Sequence, residues 1–442
     1  MLTVGFLLPS SDYLFDPFRG DPHSHFQLLT VLEWHFGARV QVSLIDLRGI
    51  KREFAQYHIP ACDVYLHSVY TLDYAEQLET VETLRRRFPE AKHIAGGPHA
   101  VTFREESLKV FDALVLGDGE RCLVEALEDL ERGSLKKVYE QRALIDINEY
   151  PFPRRHFLPA SAVARPGLVS LKNTPGYEKL RSTTVIFSRG CPYDCRFCAI
   201  PEVREYAPGV RYRKPEFVEE EIEYLKKEYG VEGISLLDEI SIPLPRAQAV
   251  AHLEAIGRTG IVWRAQCRVD GITPEIAKLA REAGCVTMAM GVESVSQRSL
   301  DLISKRINVA KTRESIRLLK EAGIECRIYM ILGLPGEPED IVQQTWDFIE
   351  ETDPESVYLS VFTLRPGTEV YTNPERFGIK RVSSDWSKTM HMYGRYDAET
   401  PDLTFEYQET TPWGRGFTAR EIVGNYLELQ DRIKASGRGP VK

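Results

Sequence analysis

Three cysteines fall within eight residues of this sequence, in the stretch Ser188-Arg189-Gly190-Cys191-Pro192-Tyr193-Asp194-Cys195-Arg196-Phe197-Cys198. Their spacing is C-x-x-x-C-x-x-C, which lets three thiolates on one short loop share a metal centre. A cubane iron–sulfur cluster normally takes four thiolates. Three would leave one iron for another ligand, and an open coordination position is what a catalytic metal centre needs. Two other readings compete: three of four structural zinc ligands, or ordinary buried thiols. A structural zinc site usually brings a second pair at similar spacing, and none follows here. The other cysteines, Cys62, Cys122, Cys267, Cys285 and Cys326, stand singly in apolar contexts and read as core residues. Eight cysteines so distributed do not make a disulfide framework.

The elements around this loop alternate. From Leu2 to about Glu140, short apolar runs at Leu2–Pro9, Val40–Leu47, Val64–Ser68, His93–Gly96 and Ala113–Leu116 predict strands. Helical patterns lie between them, at Asp73–Phe88 and near Glu120–Glu131. That order predicts an α/β fold with a parallel, doubly wound sheet. A stretch from 141 to 180 follows, with Tyr150-Pro151-Phe152-Pro153, whose two prolines block a regular helix and predict an extended linker. A second series starts at Thr183. Strands are predicted at Thr183–Ser188, Gly233–Leu237, Ile261–Cys267, Val286–Gly291, Glu325–Ile331 and Ser356–Val361. Helices are predicted at Phe217–Glu228, Pro245–Arg258, Pro274–Ala283, Val309–Ala322 and Glu339–Glu351. Pro245 and Pro274 suit first helical turns, and Thr273 suits an N-cap. Six strand–helix units make either an incomplete barrel or another doubly wound sheet, and periodicity does not separate the two. The chain divides accordingly into residues 1–140, a linker at 141–180, a second domain at 181–373 and a C-terminal region at 374–442. That last region is irregular and aromatic, closing on a helix near Thr418–Lys434. Its Trp386, Tyr393, Tyr396, Tyr407 and Trp413 either cap a small-molecule pocket or anchor the tail.

The cysteine loop, set after a strand that opens six strand–helix units, resembles the signature of the radical SAM superfamily. That resemblance covers about Thr183 to Pro374 and implies a partial (β/α)6 barrel of the TIM type. It implies a 4Fe–4S cluster on Cys191, Cys195 and Cys198, whose open iron binds S-adenosylmethionine. Phe197 matches the aromatic that packs near the adenine. Gly291-Val292-Glu293-Ser294 resembles the ribose motif, with Glu293 and Ser294 toward the hydroxyls. Gly333 and Leu334, in Ile331-Leu332-Gly333-Leu334-Pro335-Gly336-Glu337, resemble the segment lining the adenine. Leu237-Asp238-Glu239 stands where the family has G-G-E, so Asp238 or Glu239 would meet the methionine ammonium, although both glycines are missing. Arg268 would pair with the methionine carboxylate, or else form a structural ion pair.

The N-terminal sheet ahead of such a barrel resembles the cobalamin-binding domain of cobalamin-dependent radical SAM enzymes. The resemblance places Ser68, Tyr70 and Thr71 toward the corrin. It places Gly96 and Gly97, then Gly117, Gly119 and Glu120, where backbone passes close to the corrin and its nucleotide tail. Asp21-Pro22-His23 offers a D-x-H stretch after the first strand. Phe26 replaces the glycine that completes the corrinoid motif, so His23 is not expected to ligate cobalt.

Together the resemblances imply an enzyme whose cluster reductively cleaves S-adenosylmethionine to methionine and a 5′-deoxyadenosyl radical. That radical would abstract hydrogen from an unactivated carbon, and methylcobalamin would deliver the methyl group. A small-molecule substrate and an external electron donor such as flavodoxin or ferredoxin are implied. The rivals are a cobalamin-dependent rearrangement without methyl transfer, a radical SAM enzyme whose N-terminal domain binds no cobalamin, and a non-catalytic corrinoid carrier or sensor. A methylthiotransferase would carry three N-terminal cysteines, whereas only Cys62 and Cys122 stand there. A net charge of −9 argues against a nucleic-acid partner, because phosphate neutralisation needs a basic face. The opening Met1–Pro9 run is too short to span a bilayer and lacks a positive n-region, so a cytoplasmic protein with no membrane partner is expected.

Overall fold

A computed structural model of the chain describes residues 1–442 except 12, 13, 15, 169–173, 387–395, 398 and 440–442; Tyr393 thus lies outside the described residues. The chain forms two compact units. One comprises Met1–Val163 with Glu202–Arg211, and the other Ala164–Pro201 with Tyr212–Lys442.

The first unit is built on six parallel strands: β1 (Leu2–Leu8), β2 (Val40–Asp46), β3 (Val64–Ser68), β4 (Lys92–Gly96), β5 (Ala113–Leu116) and β6 (Val138–Glu140). Their order across the sheet is β2-β1-β3-β4-β5-β6. Sequence periodicity finds five of these strands and misses β6. Three residues, with Lys136 and Lys137 just before them, are too few to show a pattern. Alternate side chains explain the double winding. Phe6 packs with Leu29 and Leu32 of α1 (His23–Phe36), while Leu7 packs on the other face with Tyr65 and with Leu84 of α2 (Tyr74–Arg87). Each such side chain, fully buried, contributes about 1.5–3 kcal/mol, so a strand apolar on both faces is held only between two helix layers. The strand order reverses between β1 and β3, and ligands of open parallel sheets bind beyond the carboxyl ends at such a reversal.

The second unit holds β7 (Arg165–Pro166), β8 (Arg181–Val185), β9 (Gly233–Leu236), β10 (Val262–Cys267), β11 (Cys285–Glu293), β12 (Glu325–Leu332) and β13 (Ser356–Val361). From β8 to β13 the strands are parallel and lie side by side in chain order. A doubly wound sheet would reverse direction midway. This one does not, and it curls into a half-barrel. The helices between strands are α3 (Pro215–Tyr229), α4 (Arg246–Thr259), α5 (Pro274–Glu282), α6 (Val309–Glu321) and α7 (Ile341–Thr352). Pro274 occupies the first turn of α5 behind the Thr273 N-cap, whose hydroxyl accepts from Ile276 N–H at 3.2 Å. Pro245 instead sits one residue earlier than expected, as the extended N-cap of α4.

Both open edges of the half-barrel are engaged. β7, inside the segment expected to be linker, pairs antiparallel with β8. At the other edge Val357 N–H donates to Arg438 O at 2.9 Å, just past α8 (Ala419–Ala435). Helix α8 starts with a reciprocal Thr418–Glu421 capping box. Among the described residues no helix is long and apolar enough to cross a membrane.

Candidate active site

The cysteine loop leaves the half-barrel at the carboxyl end of β8, and a carboxylate fixes its exit. Asp238, two residues past β9, accepts from Phe187 N–H at 2.9 Å and from Ser188 N–H. These bonds turn the chain out of the ladder, which is why β8 ends at Val185 and not at the expected Ser188. Burial pushes the Asp238 carboxyl up to about 7, against the Ser188 hydrogen bond. Glu239 beside it is exposed. Of the two acids at this position, Asp238 therefore shapes the loop and Glu239 faces solvent.

Within the loop, Cys198 N–H donates to Cys195 O at 3.0 Å, closing the turn that sets the last two cysteines. Arg196 N–H donates to Ile303 O at 2.9 Å, and its guanidinium donates to Leu302 O at 2.9 Å. The Tyr193 hydroxyl donates to Asp270 at 2.6 Å, while the Arg268 guanidinium lies 3.5 Å from the Tyr193 ring centroid. Arg268 also donates to Asp270 at 3.0 Å and to Lys305 O at 3.0 Å. These contacts form an ion pair that clamps the loop.

None of the three loop cysteines forms a disulfide, and Cys195 is buried. Burial raises the Cys198 thiol, and the neighbouring Cys195 and Cys191 add to this. Among the described residues no three His, Cys, Asp or Glu side chains are gathered to hold one metal ion. A cubane asks for a different arrangement, with one thiolate on each of three irons. Three cysteines outside any disulfide, on one clamped loop at a strand mouth, fit that demand.

The fourth barrel strand ends irregularly. Its register against β12 shifts between Gly291 and Glu293, and Glu293 takes a left-handed φ of 63°. Bulges of this kind re-aim side chains next to functional sites. Glu293 is 8% exposed and accepts from Lys305 Nζ at 2.6 Å. Ser294 is buried, its hydroxyl accepting from Ser296 N–H at 3.1 Å. Phe197 packs against the barrel core, with Lys305 Nζ 6.0 Å from its ring centroid. Lys305 has no sequence signal, because only the fold brings it to Glu293.

At the end of β12 the glycine turn is built around a buried acid that sequence reasoning also missed. Glu337 accepts from Gly333 N–H at 2.9 Å, and the Gly333 carbonyl accepts from the Tyr407 hydroxyl at 2.9 Å. Leu334 is 1% exposed. Tyr407, one of the C-terminal aromatics expected either to cap a pocket or to anchor the tail, thus braces the turn expected to line the adenine. Burial pushes the Glu337 carboxyl up to about 8. The folded state therefore binds a proton that the unfolded state has lost, in the window from the usual carboxylate range to about pH 8. Stability from this group is full below that window and falls as pH rises through it. Glu337→Gln should flatten this slope, giving up to a few kcal/mol less change between pH 5 and 9 in urea unfolding. An unchanged slope would show Glu337 to be charged throughout.

In the first unit the residues expected to meet a corrin divide into two groups. Ser68 and Thr71 are half-buried and Tyr70 is exposed at the carboxyl edge of β3. The glycines are required by the protein's own packing. A Cβ on Gly96 would meet Val115 O at 2.9 Å, on Gly97 Val69 O at 2.7 Å, and on Gly119 the Leu28 side chain at 2.9 Å. At Gly117 it would overlap the Tyr206 carbonyl and stand 2.8 Å from Gln141 O. Tyr206 belongs to the Glu202–Arg211 strap, which Arg211–Asp118 (3.0 Å) and Arg142–Glu205 ion pairs fasten within this unit. Glu120 is buried in the first turn of the helix Gly119–Glu131. His23 opens α1, and burial, aided by Arg155, holds its pKa well below the usual value.

Comparison with known proteins matches residues 185–349 to the family model described as the radical SAM superfamily. An uncharacterized methyltransferase of Pyrococcus horikoshii is 29% identical over 299 residues, 63% of this chain and 62% of its own length. The anaerobic magnesium-protoporphyrin IX monomethyl ester cyclase of Cereibacter sphaeroides is 29% identical over 320 residues, 66% of this chain and 50% of its own. The chain thus spans between half and two thirds of these relatives. Among solved structures, the radical S-adenosylmethionine methyltransferase TsrM from Kitasatospora setae, with cobalamin and a [4Fe-4S] cluster bound, superposes with a TM-score of 0.70. That match is 18% identical and covers 100% of this chain and 91% of that one, so the fold is shared. With the cysteine loop at the mouth of β8 and the family match beginning at the end of that strand, residues 185–349 are a radical SAM domain.

Proposed function

We propose that this chain is a cobalamin-dependent radical SAM enzyme that methylates an unactivated carbon of a small molecule. The observation that carries the reading is the clamped three-cysteine loop at the mouth of the first barrel strand. When bound, a 4Fe–4S cluster would supply the electron that cleaves S-adenosylmethionine, and cobalamin would carry the methyl group. Cys191, Cys195 and Cys198 would hold the cluster. Asp238, Tyr193, Arg268 and Asp270 fix the loop that presents them. Glu293 and Ser294 would take the ribose hydroxyls, Phe197 with Gly333 and Leu334 the adenine, and the exposed Glu239 the ammonium. Ser68, Tyr70 and Thr71 offer two hydroxyls and a ring toward a corrin, while the glycines near them serve packing. His23 is not assigned to cobalt. A low-potential carrier such as flavodoxin or ferredoxin would supply electrons.

A second reading, radical cyclisation or rearrangement without methyl transfer, is favoured by the relative named a cyclase. One experiment separates the two. Full-length protein with its cluster reconstituted, with and without bound cobalamin, is reduced and given S-adenosylmethionine. Methyl transfer predicts S-adenosylhomocysteine only when cobalamin is present, whereas rearrangement predicts none in either case. Tyr70→Ala should lower cobalamin retention after desalting, and His23→Ala should leave the corrin bands in place. If the full chain retains no cobalamin, a cobalamin-free radical SAM enzyme replaces this reading.

A further inference from the structure

We propose that Lys305 is a positioning residue for S-adenosylmethionine, holding the Glu293 carboxylate toward the ribose from a cradle that Gly291 keeps open. The proposal rests on the reading of Glu293 given above and goes one residue beyond it. Three independent features converge on Lys305. Its ammonium donates to Glu293 Oε1 at 2.6 Å, in a pair whose side chains are 10% and 11% exposed. A Cβ on Gly291 would stand 2.5 Å from Glu293 Oε1 and 2.9 Å from Lys305 Nζ, so the glycine's missing side chain is the space this pair fills. Finally, the backbone is bent to deliver the lysine: Ser304 and Arg306, on either side, both take left-handed φ values of 52°, as Glu293 does at 63°.

The turn carrying Lys305 is also tied to the rest of the site. Arg268, from the end of β10, donates to Lys305 O at 3.0 Å, and Arg196 of the cysteine loop donates its N–H to Ile303 O at 2.9 Å. Lys305 Nζ lies 6.0 Å from the Phe197 ring. One short turn therefore joins the cysteine loop, the third barrel strand and the ribose carboxylate. Buried ion pairs are weak sources of stability, because desolvation offsets their attraction. Three left-handed residues without glycine add strain, which persists where a fixed geometry is needed. Lys305 supplies that geometry: it engages one carboxylate oxygen and fixes the direction of the whole group.

The test uses full-length protein with its cluster reconstituted. Two quantities are read: affinity for S-adenosylmethionine by equilibrium dialysis, and the change in the reduced cluster's electron paramagnetic resonance signal when it is added. Lys305→Met should weaken binding roughly ten-fold with iron content unchanged, as expected for loss of a charge-assisted hydrogen bond. Lys305→Arg should restore most of the affinity, and Gly291→Ala should weaken it by crowding the pair. Glu293→Gln should be as weak as Lys305→Met, and the double variant no weaker than either, since both disturb one interaction. Wild-type affinity in Lys305→Met beside a weakened Glu293→Gln would overturn the proposal while leaving the functional reading intact. Strictly additive losses would also overturn it. Normal binding by Glu293→Gln would remove both Glu293 and Lys305 from the ribose site. If the wild-type protein neither binds nor cleaves S-adenosylmethionine, the functional reading itself falls. Should Lys305→Met fail to retain a cluster, Lys305→Arg and Gly291→Ala decide.

Discussion

Cys195→Ala protein, reconstituted anaerobically with iron and sulfide, is expected to lose the broad brown absorbance and all reductive cleavage of S-adenosylmethionine. Cys195 is the buried member of the three and accepts the Cys198 N–H bond that closes the turn. Its removal leaves two thiolates for a cubane that ordinarily takes four, and a second iron then stands open to water and oxygen. The loop itself should survive, because Asp238, Arg268, Asp270 and Tyr193 hold it through groups the substitution does not touch. The variant should therefore unfold at nearly the wild-type denaturant concentration when both are compared without iron. One full cluster per chain with normal 5′-deoxyadenosine formation would sink the cluster assignment. A large loss of stability in the iron-free variant would instead make Cys195 a core residue, one of the rival readings of its spacing.

Gly117→Ala is expected to cost about 2–4 kcal/mol in the first unit. Two effects add there. The residue has a φ of 102°, where a side chain strains the backbone, and its Cβ would overlap the Tyr206 carbonyl. Gly133 separates them, since its φ is 70° but nothing lies within 4 Å of a Cβ. Gly133→Ala should cost only the backbone term, about 1 kcal/mol. Thermal unfolding should show the difference as several degrees between the two variants. Limited proteolysis should locate it, because the Glu202–Arg211 strap must shift to admit the new methyl group. Equal midpoints and an unchanged cleavage pattern would show that the strap does not depend on Gly117.

The glycines mark the limit of what could be read along the chain. Gly96, Gly97, Gly117 and Gly119 were expected to make room for a corrin, and the sequence does show residues that leave space. It cannot show for whom. Packing against Val115, Val69, Tyr206 and Leu28 already calls for glycine at these positions, and Tyr206 lies eighty-nine positions from Gly117, so no local pattern connects them. Arg268 carries the same lesson. Its place just past β10 was legible, but its bond to Asp270 needed the distances.

By itself the sequence determined the cysteine loop and eleven strands that hold to within a few residues of their expected bounds. Ligand spacing, and alternation at period two or near 3.6, are local properties that neighbouring residues carry alone. Even the barrel strands most displaced, β8 and β11, moved only at their ends, where Asp238 drew the chain out of one ladder and a bulge lengthened the other. Tertiary structure alone decided the rest. It set the strand order that makes the second sheet a half-barrel, and it added β6 and the antiparallel β7, which are too short to carry a period. It also set the pairing of Lys305 with Glu293 across twelve residues and a strained turn. Those outcomes depend on which surfaces meet in space, and the free energy that selects them comes from burial and charge pairing between segments that the linear order keeps apart.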